Sequence, residues 1–240
     1  MKKLFLTIAV LAFSAAAFAQ DREIDLDDIE NFNKVEIAKS NPHVESNATF
    51  GFPMYFGATT LTNINYKGAW ANTGLGNFLD FNLPRSFMFG IEVVNVNFRF
   101  GAVGLSLGVR YTYMDLTFQN NYTTIDMAGN PMTIAPTATN GKKSKIHATY
   151  SGVPARLSLN FGKASIYAGA TLDVLLDGYA KYKQPKTRYK VPVFNRFRGT
   201  VEGGFSYGNL GVFVMYGLTP VFDSDLSDAH TLTFGLLLGL

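Results

Sequence analysis

The chain has 240 residues, of which 47% are hydrophobic, 14% aromatic and only 16% charged, against about 25% charged in soluble domains. With Lys2 and Lys3 set aside as part of a leader, 19 basic residues face 18 acidic ones, so a nucleic-acid-binding reading loses its electrostatic support. The absence of cysteine excludes a disulfide scaffold, a lipoprotein anchor and thiol chemistry.

Residues 1–19 read as a Sec-type signal peptide: Lys2 and Lys3, an apolar stretch from Leu4 to Phe18, then the small-x-small site Ala17-Phe18-Ala19 before Gln20. Residues 20–45 carry eight acids, from Asp21 to Glu45, against Arg22, Lys34 and Lys39. They read as a solvated periplasmic arm. No later run has eighteen consecutive apolar residues, so any span must be a strand.

From Ser46 onward the pattern has period two. Strand one covers about 47–62, with Phe50, Phe52, Met54 and Phe56 on one face, and strand two about 86–100, with Val94, Val96, Phe98 and Phe100. A change of parity in strand two predicts a bulge near Val93. Strand three, about 103–118, alternates most cleanly: Val103, Leu105, Leu107, Val109, Tyr111 and Tyr113 oppose Gly104, Ser106, Gly108, Arg110 and Thr112. Strand four covers about 146–161 and contains Pro154, which costs a ladder bond and predicts an irregularity around Gly152. Strands five and six follow at about 165–182 and 192–207. Strand seven, about 210–221, is apolar on both faces, so its orientation stays open. Strand eight is His230 to Leu240, with Leu232, Phe234, Leu236, Leu238 and Leu240 in one apolar row.

Connections after strands two, four and six are short and contain Gly, whereas those after one, three, five and seven are long. Strict alternation puts all short turns at one rim of an up-and-down barrel, as in transmembrane barrels. A lipocalin-type soluble barrel would show the same alternation with its faces exchanged. Three features favour the membrane form. The apolar rows are nearly uncharged over nine to eleven residues, and aromatics band at both ends. Both signs of charge share the other face: Glu92, Asp173, Asp177 and Glu202 with Arg99, Arg110, Arg156, Arg196 and Arg198. Inside eight strands these charges must pair, which predicts a plugged lumen. The expected fold is therefore all-β, an eight-stranded antiparallel up-and-down transmembrane β-barrel over 46–240.

On these residues the sequence resembles the outer-membrane β-barrel family that includes PorT-type proteins and, more distantly, OmpA/OmpX-like barrels. The C-terminal assembly signal of this class, polar-x-Gly-x-x-apolar-x-apolar, matches at Thr233, Gly235, Leu238 and Leu240, with Leu240 where an aromatic is commoner. The resemblance implies an integral location in a Gram-negative outer membrane, handling by the barrel-assembly machinery, and no catalytic residues.

The search for chemistry finds three histidines, His43, His147 and His230, with no paired metal spacing and no phosphate loop. His147 and Ser151 share a strand face without an identifiable acid. No cofactor or metal is expected, and the chain is expected not to be an enzyme. Two basic clusters, Lys142, Lys143 and Lys145, then Lys181, Lys183, Lys186, Arg188 and Lys190, sit where lipopolysaccharide phosphates would lie if the long loops face outward. The expectation is a monomeric structural or interaction protein that contacts lipopolysaccharide, outer-membrane lipid or a partner through its loops. An outer-membrane lipid-modifying enzyme (deacylase- or acyltransferase-like) and a narrow pore or transporter stay open as alternatives.

Overall fold

The computed structural model describes residues 44–47, 52–72, 77–119, 122–126, 133–136, 144–182, 188–190 and 193–239. The leader and most of the acidic arm lie outside them. Eight long strands follow one another: β1 (Met54–Thr62), β2 (Phe87–Phe100), β3 (Val103–Thr117), β4 (Ser144–Phe161), β5 (Ala164–Tyr182), β6 (Phe197–Tyr207), β7 (Leu210–Gly217) and β8 (His230–Leu238). Each pairs antiparallel with the next, and β8 pairs with β1 from His230↔Thr62 to Leu238↔Met54. The sheet therefore has no free edge, the condition for a sheet to stand in lipid. A short upstream segment, Val44–Asn47, continues the β1 side of β2 down to Phe100.

At one rim the chain turns in two residues, between Phe100 and Val103, Phe161 and Ala164, and Tyr207 and Leu210. Gly101, Gly162 and Gly208 hold positive φ there, as tight hairpins require. The other rim carries the long connections. The first of them contains a single helical turn, Gly68–Ala71, and the second a two-stranded hairpin, Tyr122–Asp126 with Thr133–Pro136.

The bulge in β2 falls between Glu92 and Val94, where the register with β3 shifts. Val153 and Pro154 make no ladder pair with β3 while the register on either side is kept. A second shift lies between Thr149 and Tyr150, where β5 inserts Leu176. Strand β7 turns Phe213 and Met215 inward and Val212 and Val214 outward.

The outer face of the lower barrel is an apolar band: Phe56, Val103, Leu107, Val153, Leu157, Leu172, Val201, Val212, Val214, Phe234 and Leu236 are exposed, Leu172 by 75%. Soluble monomers rarely leave so much contiguous apolar surface uncovered, and the inward positions at this level include the buried charges Glu92, Arg110, Arg156, Asp173 and Glu202 beside a cluster of Tyr55, Met88, Tyr167, Phe213, Met215 and Leu237.

Nearer the long-loop rim the faces exchange. On β3 and β4 alternation continues, yet the inward residues are now Met114, Leu116, Ile146, Ala148 and Tyr150, and the outward ones Asp115, Lys145, His147 and Thr149. The inward set joins Leu61, Trp70, Phe78, Leu79, Phe81, Phe194 and Phe222 in one apolar cluster. This cluster closes the lumen like the core of a soluble barrel, while the outward Asp115, His147 and Thr149 are themselves covered.

Trp70, the only tryptophan, packs edge-on against Phe78 and Phe222 at 5.4 and 5.1 Å between ring centres. Its fluorescence should be blue-shifted in the folded protein and nearly insensitive to acrylamide and to brominated lipid, with a red shift on unfolding. Strong quenching by acrylamide in the folded state would contradict a closed upper lumen.

Candidate functional site

Six charged side chains meet in the lumen, three of each sign: Arg110, Arg156 and Arg198 with Glu92, Glu202 and Asp173, all buried. Arg156 lies between two carboxylates. Its Nε donates to Glu202 Oε1, one terminal nitrogen donates to Glu92 Oε1, and the other reaches Glu92 Oε2 at 3.1 Å. Arg110 donates to the second Glu202 oxygen at 2.5 Å and to Thr171 Oγ1 at 2.7 Å. Tyr55 and Asn95 each donate to Glu92, at 2.8 and 2.9 Å. Arg198 donates twice to Asp173, at 3.0 and 2.8 Å, and covers the ring of Tyr150 at 4.1 Å.

Glycine makes room for this packing. A Cβ at Gly169 would fall 2.7 Å from Arg156 Cγ. Below the network a cavity of about 430 Å³, lined by Asn95, Ser106, Arg156, Ser158, Tyr167 and Ser206, opens at the short-turn rim.

Three of the residues expected in the lumen stand elsewhere. Asp177 is carried to the outer face because the extra Leu176 reverses the alternation, so that Asp177 faces Thr149 across the ladder. Arg99 is exposed at the short-turn rim and donates to the Gly101 carbonyl at 3.1 Å. Arg196 precedes β6 and is exposed.

The exchange of faces gathers a second set of polar side chains on the outer wall, just above Tyr111 and Tyr113. Asp115 on β3 lies directly opposite His147 on β4, which lies opposite Tyr179 on β5. His147 Nδ1 is 3.0 Å from Asp115 Oδ1, and His147 Nε2 is 2.9 Å from Thr149 Oγ1. With the proton on Nδ1, the imidazole donates to the carboxylate and accepts from the threonine hydroxyl. Lys145 Nζ donates to the other Asp115 oxygen. Asp115 thus meets both His147 and Lys145 and holds the imidazole in place. The rings of Tyr113 and Tyr179 flank His147 at 3.8 and 4.4 Å.

His147 meets a hydroxyl and an acid, and neither is Ser151. The hydroxyl is Thr149, two residues nearer, and the acid comes from the neighbouring strand. His230 Nδ1 lies 2.8 Å from the Gly217 carbonyl oxygen, and its ring stacks on Tyr216; His43 lies outside the described residues. Among the described residues no three His, Asp, Glu or Cys side chains are grouped to hold a metal.

Of the basic residues, Lys145 and Lys181 face each other across β4 and β5, and Lys181 in turn faces Arg188. One register row thus crosses three strands, with Lys190 opposite Tyr179 in the next. Lys142, Lys143, Lys183 and Lys186 lie outside the described residues. At the closing seam Thr233 Oγ1 meets Thr59 Oγ1 at 2.9 Å, Gly235 faces Gly57, and Leu238 faces Met54; Leu240 lies outside the described residues.

No family model and no curated protein sequence matches the chain. Among solved structures it is similar to the Neisserial surface protein A, at 12% identity and a TM-score of 0.44, over 81% of this chain and 99% of that one. It is also similar to the attachment invasion locus protein Ail of Yersinia pestis, solved with the heparin analogue sucrose octasulfate, at 13% identity and a TM-score of 0.34, over 79% and 95% of the two chains. The strand pairing itself gives the class: the chain is a closed, eight-stranded, antiparallel up-and-down β-barrel.

Proposed function

We propose that the protein is an integral barrel of a Gram-negative outer membrane, delivered by its leader and inserted through the C-terminal signal Thr233, Gly235, Leu238 and Leu240. It acts as a monomer, and its upper wall contacts the phosphates of lipopolysaccharide. The observation that carries this reading is the height of the Lys145–Lys181–Arg188 row. It crosses the outer wall about 10 Å above Tyr113, the upper of the tyrosines that cap the apolar band, on the side where headgroup phosphates lie. Lys181 is exposed, while Lys145 is shared with Asp115.

A conducting role has little support, since the lumen holds a charge network and, above it, an apolar cluster. The test is a thermal unfolding series in phosphatidylcholine vesicles with and without lipopolysaccharide. A ligand that binds only the folded state raises the midpoint. Lipopolysaccharide should raise it for the parent protein and clearly less for K145Q/K181Q/R188Q. An equal rise in both would reject the contact.

A further inference from the structure

We infer that Thr149, His147 and Asp115 form a nucleophile–base–acid relay that cleaves acyl esters of lipids at the outer-wall interface. This goes beyond the phosphate contact and rests only on the placement of the barrel in a membrane.

The connectivity is specific. Thr149 Oγ1 lies 2.9 Å from His147 Nε2, and His147 Nδ1 lies 3.0 Å from Asp115 Oδ1; with the ring proton on Nδ1 the hydroxyl donates to the imidazole and the imidazole to the carboxylate. This order makes a hydroxyl a usable nucleophile, because the imidazole removes its proton as attack begins and the carboxylate stabilises the resulting imidazolium. His147 is 2% exposed and Thr149 5%, so the relay is shielded from bulk water, where its electrostatics are strongest.

The surroundings select the substrate class. Down the outer face of β4 the order is Lys145, His147, Thr149, Ser151, Val153 and Leu157. Strands rise about 3.3 Å per residue and barrel strands tilt by about 40°, so Thr149 stands about 10 Å below Lys145. Beside it Leu176, and beneath it Val153, Leu157 and Leu172, are exposed and offer an apolar track for a chain. A lipid with its phosphate at Lys145 and Lys181 and its acyl chain on that track brings an ester carbonyl to the level of Thr149. The Tyr113 and Tyr179 rings flanking His147 close the relay, and the ester enters by displacing one of them.

The chemistry balances without a co-reactant other than water. Thr149 Oγ1 bonds to the ester carbonyl carbon while His147 Nε2 takes the hydroxyl proton. The bond to the alkoxy oxygen then breaks, and His147 returns the proton to the leaving alcohol. Water, deprotonated by His147, attacks the acyl-threonine, releases the fatty acid and restores the hydroxyl.

The test uses the full mature chain refolded in detergent micelles, with p-nitrophenyl palmitate as the probe and mass spectrometry of the intact protein. The probe carries no phosphate, so its outcome is independent of the lipopolysaccharide experiment. The parent protein should release nitrophenol above protein-free micelles and carry a palmitoyl adduct on the peptide containing Thr149. T149V should abolish both, T149S should keep both, and D115N should slow release by about 100-fold or more. Each variant must retain its mobility shift on unheated gels. Release no greater than from empty micelles, or equal release from folded T149V, would overturn the relay.

Discussion

Arg156→Met should lower the unfolding free energy by about 3–5 kcal/mol, measured by urea unfolding in detergent micelles. The guanidinium donates to Glu92 and to Glu202 at once, and both carboxylates have wholly buried side chains. Methionine fills similar space but leaves the lumen with two arginines and three acids. A buried charge without its partner keeps its desolvation cost and loses its Coulomb return, so the loss far exceeds the net contribution of an intact pair. A second change, Glu92→Gln, restores the balance: Arg110 keeps Glu202 and Arg198 keeps Asp173. The double variant should recover at least half of the loss, a coupling that independent sites do not show. A cost below about 1 kcal/mol for the single change would mean that water already solvates Glu92 and Glu202, and the closed lumen would fall with the network.

Gly235→Val should prevent the barrel from closing. Gly235 faces Gly57 in the β8–β1 seam, and a Cβ at 235 would collide with the Phe56 carbonyl, lying 2.7 Å from its carbon. Backbone on both strands would have to separate at the one junction formed between the two ends of the barrel. An opened seam exposes unpaired N–H and C=O groups to hydrocarbon, each costing several kcal/mol. The variant should therefore lack the fast-migrating folded band on unheated gels, whereas Leu236→Val, an exposed change on the same strand, should keep it. A normal folded band for Gly235→Val would mean that the seam is looser than its geometry.

The fold was legible because every strand except β7 declares its two faces by alternation, and the short turns each carry a glycine. Parity also fixed most of the lumen network. It failed at Asp177, since one inserted residue, Leu176, reverses the face without leaving a mark in an all-apolar stretch, Val174-Leu175-Leu176. It failed at Arg99 and Arg196 because alternation gives a face and not a height. The plug around Trp70 was hidden for another reason: it comes from a long connection with no period of its own. The relay escaped because Asp115 and His147 are 32 positions apart in sequence, and only the β3–β4 register brings them together. What could be seen was the shared face of His147, Thr149 and Ser151, and the hydroxyl two positions away was the better candidate.

The strands differ in length in a way that gives the molecule a direction within the plane of the membrane. Strands β4 and β5 run for 18 and 19 residues, whereas β1 and β8 have 9 each and β7 has 8. The register places part of that difference at one point of the rim: β6 begins at Phe197 opposite Val174, so β5 runs on beyond it for eight residues to Tyr182, about 20 Å at the usual rise and tilt. The barrel therefore carries a step between β5 and β6. A neighbour drifting in the bilayer meets that step from one azimuth only. Lateral encounters are sorted by orientation before any side chain is read.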